Sequence, residues 1–172
     1  GASLASQIGL TGKEATKFAE NIGSGNNIRM ADQGGLVGNV FGAVESRLTD
    51  QAKFEMRNPE NAGGPFGADC SLTAAQIGLG YMGTEMGPNN LDPMLSYGAS
   101  SVSADSARVG DIIRYAKSDN VATHFANFIF ANDDGTPIAF SKNGNKGPYS
   151  VQPAQSLQNQ LYGNITGYFR KR

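Results

Sequence analysis

The stretch GADCSLTAAQIGLGYMG, residues 67–83, decides between two folds. It holds Cys70, the only cysteine in the chain, and Gly78-Leu79-Gly80-Tyr81-Met82-Gly83, which spells the GxGxxG of a dinucleotide-binding loop. Such a loop needs a strand before it, a helix opening inside it, and an acidic residue about 20 positions on. Residues 69–76 prefer helix to strand, and Gly87-Pro88 would interrupt a helix after the glycines. The segment 100–104, ahead of the only well-spaced acid, Asp105, is mostly serine. These glycines are therefore expected to end a helix and let it pack closely. The same stretch reads well as a helix start, with Asp69 as N-cap and Leu72 to Tyr81 following.

Upstream, residues 13–22 are expected to form a helix capped by Thr11. Residues 36–56 carry the strongest helical pattern, with Val37, Val40, Phe41, Val44, Leu48 and Phe54 at roughly three-and-four spacing. Pro59 and Gly63-Gly64-Pro65 break that pattern, so 58–68 reads as a loop delivering the chain to Cys70. Downstream, 83–92 reads as a loop and 91–97 as a short helix. Strands are then expected over 110–115, 122–131 and 137–142, with a hairpin turn at Asp133-Asp134-Gly135. A polar helix over 152–162 and a last strand over 165–169 complete the pattern. Helices come first and hairpin-joined strands after, which is an α+β chain with an antiparallel sheet. The domain reading is a helical N-terminal region, 1–60, packed on a core of 61–172.

The totals exclude more than they assign. At 172 residues the chain is long enough to bury a core without cross-links, and one cysteine can form no internal disulfide. A net charge of −1 gives no pull toward nucleic acid, and no apolar run approaches the 18 residues of a membrane span. Gly1-Ala2-Ser3 has no basic region followed by an apolar stretch, so no signal peptide is expected there. One His and one Cys make no familiar zinc site, and no cofactor is expected. Asn132-Asp133-Asp134 reads as a solvated turn, and Asp111 as a turn residue.

The chemistry-bearing residues are Cys70 at a helix start and His124 at a strand start. Free amides and the positive dipole end of a helix stabilise a thiolate and can hold the oxyanion of an attacked carbonyl. Asp69 and Ser71 flank the thiol as oxyanion and groove residues. An imidazole on a rigid strand is a suitable base, and a third polar residue should fix its tautomer. With a two-residue turn Asn145 lies opposite His124, and Asn143 and Ser141 lie diagonally on the same face. A three-residue loop brings Gly144 and Lys142 instead, and Pro137 is a candidate for a bulge. Asn143 ranks first as the third residue, and Ser141 second.

The order Asp69-Cys70-Ser71, Gly110-Asp111-Ile112-Ile113, then His124 opening an apolar strand resembles the NlpC-type branch of the papain-like cysteine peptidases. The tracts Phe140-Ser141-Lys142-Asn143-Gly144, Tyr162-Gly163-Asn164 and Phe169-Arg170 resemble papain-like C-terminal toxin domains of bacterial polymorphic (Rhs-type) toxins. Leu72 stands where that family usually has glycine, and the third catalytic position is no clear histidine. The resemblance spans about residues 66–172. It implies a papain-like core with the nucleophile helix packed on the sheet, Cys70 as nucleophile and His124 as base. It also implies a peptidase or amidase delivered into the periplasm or cytoplasm of a target cell as a toxin effector. The expected partners are a protein or peptidoglycan substrate and a cognate immunity protein, with the chain a monomer. A glutamine deamidase, an acyl or transglutaminase-type transferase, and a non-catalytic binding module on the same scaffold are the alternatives.

Overall fold

The computed structural model describes residues 46–57, 69–131, 134–144 and 149–172. The expected helix over 13–22, the loop over 58–68 and the turn residues 132–133 lie outside them. Helix α1 is Asp50–Arg57, α2 is Cys70–Leu79 and α3 is Pro88–Gly98. Strand β1 is Ala99–Val102, β2 Ile112–Ala116, β3 Ala122–Ala131, β4 Pro137–Lys142, β5 Tyr149–Pro153 and β6 Asn164–Lys171. The six strands form one antiparallel sheet in the order β1-β6-β2-β3-β4-β5. The α+β reading with helices before strands holds for these residues.

Helix α2 is built as its sequence suggests. The Asp69 carboxylate accepts the Leu72 N–H at 2.8 Å, one of the donors a helix start leaves unpaired. Gly80 ends the helix at φ 69°, and the Tyr81 N–H returns to the Ala75 carbonyl at 3.2 Å. Gly78 lies inside the helix, pressed on β2: a Cβ there would sit 2.5 Å from Ile112 Cγ1 and 2.9 Å from the Gly110 carbonyl oxygen. The GxGxxG glycines thus serve packing and termination, and none sits between a strand end and a helix start.

Four expectations are corrected. The helical pattern of 36–56 does not run through 46–49, which turn. Helix α1 starts at Asp50, where the Ala52 N–H meets Thr49 Oγ1 at 3.4 Å; residues 36–45 of the expected helix lie outside the described residues. Helix α3 begins at Pro88, inside the expected loop, because a proline's fixed φ and missing N–H suit a first helical turn. Strand β1, a short edge strand rich in serine, has no sequence signal. The polar helix over 152–162 does not form. Tyr149-Ser150-Val151-Gln152 alternates as β5, Ala154–Leu157 makes a single 3-10 turn, and a loop leads to β6.

Alternation along the strands makes two cores. Phe125, Ile129, Ile138, Phe140, Tyr149 and Val151 face α2 and α3, together with Leu48 and Ala52 from the α1 region. Ile113, Tyr115, Ala126, Phe128, Ala139 and Tyr168 pack on the opposite face with Ala154 and Leu157. Strand β3 is buried on both faces, as suits a strand flanked on each side. A second anchor joins helix to sheet. The Arg114 guanidinium donates to both Asp92 oxygens, at 2.7 and 2.9 Å, and also to Asn120 and Thr166. All five of its N–H groups are thereby used, so Arg114 is a brace within the 520 Å³ cavity it helps to line.

Candidate active site

The β3–β4 ladder is what assembles the site. Ala131 pairs with Pro137, a bulge falls between Phe128 and Phe130, and beyond it Phe128 pairs with Ala139 and Asn127 with Phe140. Continued along β3, that register brings residue 143 opposite His124. The sequence-based register, with Asn145 or Gly144 there, is corrected by this bulge; Asn145 itself lies outside the described residues. The ladder stops at Asn127–Phe140 although both strands run on, so His124 and β4 meet through side chains instead of backbone.

His124 is fully buried. Its Nε2 lies 2.8 Å from Ser141 Oγ, Ser141 Oγ donates to Asn143 Oδ1 at 2.8 Å, and Asn143 Nδ2 donates to Ser150 Oγ at 3.0 Å. Gln152 Nε2 ends the chain on Ser150 Oγ at 2.9 Å. The directions fix the tautomer. Ser141 spends its one proton on Asn143, so it accepts from His124 and the Nε2 carries the hydrogen. Nδ1 is left as the basic nitrogen, and it is buried with no hydrogen-bond partner. Burial lowers the imidazole pKa to about 3, so the ring is neutral at neutral pH.

Of the two candidates for the third position, Ser141, ranked second, meets the imidazole directly, and Asn143, ranked first, reaches it only through Ser141. Lys142 points to the helix side of the sheet, its Nζ donating to the Gly144 carbonyl at 2.7 Å and lying 5.5 Å from the centre of the Tyr149 ring.

Cys70 opens α2 beside the same point of β3. The backbone N–H of Phe125, the residue after His124, points at its sulfur and favours the thiolate. Burial outweighs that, and the nearby Asp69 charge adds to it, so the thiol pKa is raised. Ser71 is fully buried with its Oγ 3.8 Å from the sulfur. The Asp69 carboxyl is raised by burial, while the Leu72 and Ser71 N–H groups and Lys142 pull it back. The resting pair is thus a neutral thiol and a neutral imidazole, with no hydrogen bond between them among the described residues.

Two groups escaped the sequence reading. Tyr162 stacks on the imidazole, ring centres 3.8 Å apart and planes 12° from parallel, and burial, with the Cys70 charge adding to it, raises its hydroxyl pKa. Ser150 and Gln152 extend the polar chain on β5. The expected helix over 152–162 hid Gln152 and Tyr162, and Ser150 fell just ahead of it in an unassigned stretch, although the period-two alternation of 149–152 was a usable strand signal.

No family model matches the chain, and no curated protein matches it in sequence. Asp111, expected as a turn residue, receives the Arg170 guanidinium at 2.8 and 3.0 Å and ties β6 to the turn before β2. No described helix is long and apolar enough to cross a membrane.

Proposed function

We propose that the protein is a papain-like cysteine hydrolase that cleaves an amide bond, acting as a bacterial toxin effector. The observation that carries this reading is the directed hydrogen-bond chain behind His124. It leaves Nδ1 unprotonated and unpartnered, next to the strand position where the only thiol of the chain approaches. The motif order over about residues 66–172 and its resemblance to NlpC-type and polymorphic-toxin domains support the same reading.

In the proposed cycle His124 Nδ1 takes the thiol proton as Cys70 sulfur attacks the carbonyl carbon. The negative charge passes to the carbonyl oxygen, held by backbone N–H groups at the start of α2. Collapse breaks the C–N bond, and the imidazolium gives its proton to the departing amine. Water, deprotonated by His124, then attacks the thioester; the carboxylic acid leaves and the thiol is restored. Ammonia as the leaving group makes the reaction a deamidation, and an amine in place of water makes it a transfer. Starting from a neutral pair, proton transfer accompanies the attack.

Expression in a bacterial host, retained in the cytoplasm or exported to the periplasm, tests the reading. Growth arrest is expected in one compartment and is lost in Cys70→Ala and His124→Ala, both folding like the wild type. Variants as toxic as the wild type overturn it. Stem peptides released from purified peptidoglycan would identify a cell-wall amide. The burial of both groups favours a second reading, an inert binding module. That reading expects both alanine variants to keep their toxicity.

A further inference from the structure

His124 lies under one aromatic side chain that no function has yet claimed, and the Cys70 charge also acts on that side chain. Tyr162 is only half-buried, while the imidazole beneath it is fully so. The two rings are stacked, and Tyr115 meets the same imidazole edge-on at 5.5 Å. The backbone carrying Tyr162 is held from several directions. Asn159 Oδ1 accepts the N–H groups of Leu161 and Tyr162, each at 2.8 Å, and the Asn159 carbonyl accepts the Gly163 N–H at 2.8 Å. Thr123 Oγ1 donates to the Tyr162 carbonyl. Gly163, at φ 79°, lies so close to β2 that a Cβ would stand 2.3 Å from the Ala116 carbonyl oxygen. The side chain is fixed far less. No hydrogen bond of its hydroxyl is seen among the described residues, and it is held by stacking on His124 and by packing at the edge of the second apolar core. A ring on a rigid loop can swing away from the imidazole by a change of its χ1 rotamer, without disturbing the sheet.

We propose that Tyr162 is the cover and positioning residue of the Cys70–His124 pair. Its ring closes the resting site to solvent and holds the imidazole in the plane where Nε2 meets Ser141; substrate entry requires the ring to swing out. This rests on the catalytic reading of the pair, but it makes a claim about burial that needs no turnover. The groups that meet the imidazole are Ser141 of β4, Tyr115 of β2 and Tyr162 of the loop, and the charge of Cys70 of α2 acts on Tyr162. Desolvation is the cause that holds the ring neutral, so uncovering it should restore ordinary titration.

One histidine and one cysteine make the test clean. The imidazole resonances of the intact protein are followed against pH by NMR, and Cys70 alkylation by iodoacetamide is timed. In the wild type and in Tyr162→Phe the imidazole should stay silent between about pH 5 and 8, with ring protons shifted upfield by the stacked ring. In Tyr162→Ala it should titrate within that window, and alkylation should quicken by about tenfold or more. A Tyr162→Ala imidazole that stays silent across the window overturns the proposal. Should that variant fail to fold, Tyr162→Leu keeps the bulk without the aromatic ring. Loss of the upfield shift is then expected, and unchanged resonances overturn the proposal. Toxicity is read in a separate experiment, so failure of the hydrolase reading and failure of the cover are told apart.

Discussion

Ser141 decides which nitrogen of His124 can act as a base. Its hydroxyl has one proton and gives it to Asn143, so the Nε2–H tautomer follows from two adjacent hydrogen bonds. With Ser141→Ala the ring loses that lock and either nitrogen can hold the proton. For the proposed hydrolase activity, turnover is expected to fall about a hundredfold with KM little changed, and Ser141→Thr to recover part of it. Asn143→Ala, one bond removed, should cost less. The double variant should cost little more than Ser141→Ala alone, because both act through one bond to the ring. Steady-state kinetics on the amide substrate check all four. The sequence supplied the two residues but not their order. Alternation put both on the face of His124, while a single bulged residue decided which would reach it.

At the scale of elements, α2 and β2 are fitted to each other through Gly78. A methyl group there would press on Ile112 Cγ1 and the Gly110 carbonyl, and Gly110 backbone cannot retreat as a side chain can. Gly78→Ala raises intrinsic helix propensity, yet it should destabilise the fold by about 1–3 kcal/mol through overpacking. Urea unfolding, with the slope unchanged and the midpoint lowered, checks this. The α2 helix was legible because its cap, apolar run and terminating glycine are all local. Strand β1 was not: the serine-rich segment is held by its ladder to β6, a pairing that local propensity does not weigh. Strand β5 carries a local period-two alternation, but the polar run after it reads as a helix.

For the whole molecule, the buried neutral imidazole links folding to pH. Its pKa is about 3 in the folded chain against about 6.5 unfolded, so between those values the unfolded state binds more protons. Stability should therefore be complete above about pH 6.5 and decline as pH falls through that window. The slope reaches on the order of 1.4 kcal/mol per pH unit from this group alone. In His124→Gln this part of the acid slope should vanish; carboxylates contribute equally to both proteins. Denaturant unfolding of the two proteins from pH 7 down to pH 4 measures the difference.

What the sequence determined by itself was local: a capped helix starting at Cys70, an apolar strand over 122–131 with His124 near its start, a turn between β3 and β4, and the α+β order of elements. Each follows from residues within a turn or two of one another. Tertiary structure decided the rest, because it depends on where distant segments meet. A bulge in β3 placed Ser141 on the imidazole, and the loop ahead of β6 laid Tyr162 over it. Burial from both faces of the sheet then made the pair neutral, a consequence of desolvation that no stretch of sequence carries alone.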